Sequence, residues 1–161
     1  MAASAFPIPH GMKAVRAQFG NFNFTELSGA NVDVDDTWEA DNLVMLRNVA
    51  GTGLNVRLHR LVAPEFEAAL KEIVAACPKY KIRMLGGYCP RHKMHDVKRE
   101  LSTHSWGIAF DLNWDKNPVA ATLITDFPPE LIAILKRRGW NWGGDWKGTK
   151  DSMHWQWATG C

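Results

Sequence analysis

Cysteine is scarce in this chain, and the little there is has no pattern. Cys77, Cys89 and Cys161 are an odd number without zinc-finger or CxxC spacing, so free thiols in a reducing cytosol are the simplest account. Long apolar runs are also missing. Nowhere do 18 consecutive apolar residues occur, which excludes an ordinary membrane-spanning helix. The opening segment MAASAFPIPHGMKAV lacks a charged stretch followed by a continuous apolar one, and Pro7 and Pro9 interrupt the only candidate, so no secretion signal is expected. An excess of one charge is absent as well: a net charge of +2, scattered along the chain, gives no nucleic-acid footprint. There are no repeats, low-complexity tracts or Ser/Pro linkers. With 161 residues, the expectation is one domain, residues 1–161, around a single core that needs no disulfide staples.

What is present fits a folded domain, with an apolar fraction of 46% and a charged fraction of 22%. Tryptophan stands out at 8 copies. The first forty residues read as a clasp packed on the body, with a short helix over Gly11 to Phe19 and irregular surface chain from Gly20 to Asp36. Leu43 to Val49 and Leu54 to Arg60 are β-like runs around Ala50-Gly51-Thr52-Gly53, which predicts a hairpin whose second strand turns His59 outward. Pro64 opens a helix in which Phe66, Leu70, Ile73, Val74 and Cys77 repeat at helical spacing until Pro78, so Cys77 reads as core. A short strand is expected at Lys81 to Leu85, then a polar loop from Gly86 to Ser102. Further strands are expected at Ile108 to Asn113 and Met153 to Trp157. A second long helix is expected at Pro128 to Arg138, with Asp126 as its cap and Gly139 as its stop. Strands and helices do not alternate strictly, which favours α+β with a small, mainly antiparallel sheet and flanking helices.

The chemistry concentrates in two segments. In Ser102-Thr103-His104-Ser105-Trp106-Gly107-Ile108-Ala109-Phe110-Asp111, an extended reading puts Ile108 and Phe110 on one face and Ala109 and Asp111 on the other. A carboxylate among aliphatic and aromatic neighbours is costly to bury alone, and a divalent cation removes that cost. His104 lies seven residues earlier, about 23 Å away if extended, so both reach one ion only if the chain doubles back, with Gly107 as the bend. In the second segment, Asp151-Ser152-Met153-His154-Trp155-Gln156-Trp157, His154 and Gln156 share a face and His154 is the third candidate ligand. Two His and one carboxylate around zinc leave a fourth position open, the arrangement of catalytic sites. Asp151 joins His154 only from a turn before the strand, where it is placed to act as general base and then general acid. Trp106, next to the proposed ligands, is a candidate to flank a bound substrate. Trp140, Trp142, Trp155 and Trp157 read as core, His92 and His95 as solvent-exposed, His10 as incidental and Cys89 as without function.

Three motifs in order, Ser-x-His-x-x-Gly-x-Ala-x-Asp at Ser102 to Asp111, Trp-Gly-Gly-Asp-Trp at Trp142 to Trp146 and Asp-x-x-His at Asp151 to His154, resemble the D-alanyl-D-alanine carboxypeptidase and L-alanyl-D-glutamate endopeptidase family of zinc peptidases. The family includes vancomycin-resistance dipeptidases and many bacteriophage endolysins, and it shares a fold with the hedgehog signalling domain. The resemblance covers roughly Leu61 to Trp157. It implies Zn2+ as cofactor, held by His104, Asp111 and His154, with Asp151 as base and Ser102 as a substrate-contacting hydroxyl. The family's Gly-Tyr-Arg run reads here Gly87-Tyr88-Cys89-Pro90-Arg91, which makes Arg91, displaced by two residues, the candidate to stabilise the substrate carbonyl or carboxylate.

The expected activity is that of a zinc-dependent peptidoglycan hydrolase cutting a stem-peptide bond, with L-alanyl-D-glutamate endopeptidase of the phage endolysin type ahead of D-Ala-D-Ala carboxypeptidase. A reading of another class is a non-catalytic, zinc-containing cell-wall-binding module. The expected partner is the peptidoglycan stem peptide, met by a monomer without nucleic acid or stable membrane insertion. The protein would be made in the host cytoplasm without a signal peptide and act on the wall after release across the membrane.

Overall fold

Period-two and period-3.6 apolar patterns both occur along the chain and give its strands and helices. A computed structural model describes residues 6–161. In chain order the elements are α1 (Gly11–Phe19), β1 (Phe24–Glu26), β2 (Val32–Val34), α2 (Asp36–Asn42), β3 (Leu43–Leu46), β4 (Val56–His59), α3 (Ala63–Ala76) and β5 (Leu85–Gly86). After these come β6 (Ala109–Leu112), β7 (Val119–Ala120), α4 (Pro129–Arg137), β8 (Asn141–Trp142), β9 (Lys150–Asp151) and β10 (His154–Gln156). The architecture is α+β. A four-stranded antiparallel sheet in the order β5-β6-β10-β8 carries the site, and β1-β2, β3-β4 and β7-β9 form three further antiparallel pairs. No helix among the described residues is long and apolar enough to cross a membrane.

The core lies on one face of the central sheet. Ile108, Phe110 and Leu112 alternate inward along β6 and meet Trp155 and Trp157 from the last strand. Phe66 of α3 packs edge-on against Phe110 at a centroid distance of 4.8 Å, and Trp140 against Phe110 at 4.7 Å. Trp142 stacks on Trp155 at 5.4 Å, as their cross-strand pairing in β8 and β10 requires. The four tryptophans read as core are all buried. Helix α4 turns Leu131, Ile134 and Leu135 into the same core, and Arg138 clamps it to α3 through Glu65 at 2.7 Å and Glu72 at 2.6 Å. Buried residues from Met12 to Ala158 form one cluster, so α1 contributes Met12, Val15 and Phe19 to the body's own core.

Several local expectations are corrected. The stretch from Gly20 to Asp36 is not irregular throughout, because Val32 and Val34 bury their side chains and pair with Glu26 and Phe24 in a hairpin. Gly29, at φ +69°, makes its turn possible. Asp35 then caps α2, accepting the Thr37 and Trp38 amides. Asp126 does not cap α4; its carboxylate accepts from Tyr80 Oη (2.7 Å) and Asn117 Nδ2 (2.9 Å). The strand expected at Lys81 to Leu85 shrinks to Leu85–Gly86, since the buried Asn113 amide takes the Arg83 and Met84 N–H groups that a ladder would use. Val74 is 38% exposed, just off the buried stripe of α3.

His59 is the clearest reversal: it is 1% exposed rather than outward. Alternation along β4 is correct, but the N-terminal segment covers the outer face, with Phe19 at 4.9 Å and Trp38 at 6.0 Å from the imidazole. The Phe19 carbonyl accepts from Nε2 (3.3 Å) and Nδ1 accepts the Leu61 N–H (3.2 Å), so the ring is held neutral. Burial lowers its pKa from 6.5 to about 4, against the opposing pull of the Phe19 carbonyl. A depressed histidine contributes stability above its unfolded pKa and loses it as pH falls toward the folded value. The urea midpoint is therefore expected to drop between pH 6.5 and about 4 and His59→Leu to flatten that slope; an unchanged slope in the variant would assign the pH dependence elsewhere.

Candidate metal centre

The antiparallel register of β6 and β10 sets Asp111 directly opposite His154. Both point away from the core, into a cleft. The third group arrives from the short turn Thr103–Trp106, which Ser102 caps by accepting the His104 N–H (3.3 Å). Gly107 (φ +66°) then reverses the chain into β6. A Cβ there would lie 2.8 Å from His59 N, so the bend needs glycine for space as well as conformation.

The three side chains converge. His104 Nε2 lies 3.1 Å from His154 Nδ1 and 3.3 Å from Asp111 Oδ1, and His154 Nδ1 lies 3.2 Å from Asp111 Oδ1. A tetrahedral zinc ion with bonds of about 2.0 Å requires ligand–ligand edges of about 3.3 Å, so the triangle already has the size of one face of that polyhedron. The other ring nitrogens are engaged. His104 Nδ1 donates to the Gly87 carbonyl at 2.8 Å, and His154 Nε2 donates to Gln156 Oε1 at 2.9 Å. This leaves the unprotonated nitrogen of each ring facing the other and the carboxylate oxygen, a set of lone pairs that a divalent cation satisfies. The residues present fit zinc.

Electrostatics point the same way. Burial works against ionisation of Asp111, yet the charge and hydrogen bonds of His104 and His154 hold its carboxyl well below the usual carboxylate range. His154 is pulled upward: burial opposes protonation, but Asp111 and then Asp151 outweigh it. The carboxylate thus draws positive charge into the triangle, the role an ion would take over.

Supporting contacts come from residues outside the triangle. Gln156 Oε1 also accepts from Thr103 Oγ1 (3.0 Å) while Nε2 donates to the Ala158 carbonyl, which fixes the amide that orients His154. Gly87 is pressed against β4, where a Cβ would lie 2.6 Å from the Arg57 carbonyl. The next residue, Tyr88, donates its hydroxyl to Glu39 of α2. A hydrogen bond to α2 thus anchors the residue that follows the carbonyl holding His104.

Asp151 lies in β9, paired with Val119, and a turn at Ser152 and Met153 separates it from His154 in β10. That turn brings both side chains to one cleft, although on a continuous strand they would diverge. Gly143 passes so close that a Cβ would meet the Asp151 carbonyl at 2.3 Å. Burial raises the Asp151 pKa, His154 pulling the other way, and its Oδ1 is buried without a hydrogen-bond partner among the described residues.

The cleft has a volume of about 650 Å³. Arg91 and Ser102 line it together with Asp111, Asp151 and His154. Trp106 does not: it is 2% exposed and packs on Phe22 at 4.8 Å, with Nε1 donating to the Gly20 carbonyl. The substrate-flanking place expected for it is thus corrected, because the bend at Gly107 turns the indole toward the N-terminal segment. Trp146 lies in the cleft instead, 5.3 Å from the His154 ring. It ends the Trp-Gly-Gly-Asp-Trp motif, so the signal for it was visible. His92 is buried, held by Glu26 (2.9 Å) and the Arg99 carbonyl (2.5 Å), whereas His95 is exposed at the cleft edge.

These features make a candidate metal site of two His and one carboxylate, with a second carboxylate, Asp151, in the same cleft. Comparison with known families agrees: residues 95–157 match the family model for D-alanyl-D-alanine carboxypeptidase, a match that supports a peptidase and contains every candidate ligand and Asp151. No solved structure matches the chain.

Proposed function

We propose that this protein is a zinc-dependent peptidoglycan hydrolase that cuts the L-alanyl-D-glutamate bond of the stem peptide, as bacteriophage endolysins of this kind do. The observation behind this reading is a ligand triangle beside a half-buried carboxylate with an unpartnered oxygen. Zinc held by His104, Asp111 and His154 would act as a Lewis acid toward the scissile carbonyl and lower the pKa of a water toward about 7. Asp151 takes the proton of the attacking water on its free oxygen and returns it to the leaving amine nitrogen, so the peptide C–N bond breaks as the C–O bond forms. Arg91 offers its guanidinium to the peptide carbonyl or a carboxylate. Among the described residues the guanidinium makes one hydrogen bond, a long one to the His92 carbonyl (3.4 Å). Ser102 and the Trp146 ring position the chain of the substrate.

A cleft of about 650 Å³ has room for several residues of peptide on both sides of an internal bond. The second reading, D-Ala-D-Ala carboxypeptidase, is supported by the description of the matching family. Mass spectrometry of muropeptides after digestion of purified peptidoglycan separates the two: new N-terminal D-Glu is expected, and free D-Ala without it would establish the carboxypeptidase. A binding module would retain wall fragments and release neither product, but it has no use for Asp151. Under this proposal the protein works as a monomer on a wall outside the membrane, reached with help from a membrane-permeabilising partner such as a holin.

A further inference from the structure

The lining of the cleft is unlike the rest of the surface in charge. The chain as a whole is nearly balanced at +2, yet Arg91, Lys93, Arg99 and Lys147 line the cleft against only two acidic side chains, Asp111 and Asp151. Of those two, Asp111 is committed to the histidines. The cations come from two separate loops, 91–99 and 146–149, so no single helix or turn explains the clustering.

Their pairing is also loose. Away from the cleft, ion pairs close tightly: Arg57–Glu39 at 2.8 Å, Arg83–Asp115 at 3.0 Å and Lys136–Asp145 at 2.6 Å. Lys93 reaches Glu100 only at 3.4 Å, Arg99 reaches Asp96 at 3.6 Å, and neither acid lines the cleft. Arg91 and Lys147 have no ion pair among the described residues. Cations held this loosely at the edge of a concave site are available to an incoming anion, and low local screening strengthens that attraction.

We infer that Lys93, Arg99 and Lys147 form an anion-recognition rim that selects peptides carrying free carboxylates over their amidated counterparts. The inference rests on the peptidase reading above and names the substrate class for that site. In a stem peptide, D-Glu is linked through its γ-carboxyl, which leaves the α-carboxylate free; amidation makes that group neutral with almost no change of shape. The rim therefore reads charge, while zinc and Asp151 act on the bond.

Binding to the zinc-loaded Asp151→Asn protein, measured by titration calorimetry, tests the rim apart from turnover. The probes are two synthetic L-Ala-γ-D-Glu-containing muropeptides that differ only in amidation of the α-carboxylate. The free acid is expected to bind about tenfold more tightly, with the difference shrinking as salt rises from about 0.05 to about 0.5 M. Combining Lys93→Gln, Arg99→Gln and Lys147→Gln should abolish the preference, and exposed Lys147→Gln alone should reduce it if the triple variant folds poorly. Equal affinity for both probes, or binding of neither, overturns the inference. Preferential binding of the acid by a protein whose wild type cuts neither probe upholds the rim and defeats the peptidase reading.

Discussion

Replacing Asp151 with Asn is expected to leave zinc bound while peptidoglycan turnover falls by at least about two powers of ten, the usual loss when a general base is removed. The expectation follows from the surroundings of the group. One oxygen is buried and unpartnered among the described residues, and burial raises the carboxyl pKa, with His154 pulling the other way. Asn keeps the shape that Gly143 accommodates but cannot accept the proton. The assay pairs turnover with zinc stoichiometry. Turnover within about threefold of wild type would show that another group activates the water.

The second large effect concerns the metal. Asp111→Ala should weaken zinc binding by more than about a hundredfold, whereas Gln156→Ala, which only disorients His154, should cost about ten- to a hundredfold. Asp111 supplies the single negative charge that meets two imidazole nitrogens at 3.2 and 3.3 Å; without it the ion would face neutral ligands only. Gln156 acts one bond further out, through Nε2 of His154. Competition with a chromophoric chelator measures both affinities. Unchanged zinc affinity in Asp111→Ala would mean that the triangle is a hydrogen-bonded cluster rather than a ligand set.

How far these features can be read from sequence depends on whether their cause is local. Strand alternation in Ile108 to Leu112 and helical spacing in Phe66 to Ile73 are local, and both elements form within a few residues of expectation. The convergence of His104 on Asp111 was legible through Gly107, because one glycine at a bend carries the reversal. Where a distant segment decides, the pattern misleads. His59 and Trp106 both sit where local alternation or adjacency puts them, and both are captured by the N-terminal segment, His59 under Phe19 and Trp106 against Phe22. The Glu39–Tyr88 contact and the Glu26–His92 pair join residues 49 and 66 positions apart, and no period in the sequence announces them. The cleft cations were equally hidden, since they come from two loops that only the fold brings together.

The most direct test of a zinc-dependent site at this triangle is to strip the protein of metal, assay it on purified peptidoglycan, and then add one equivalent of Zn2+. The account predicts no turnover in the stripped protein and recovery on addition, with no recovery in Asp111→Ala. Full activity in the stripped protein would contradict it.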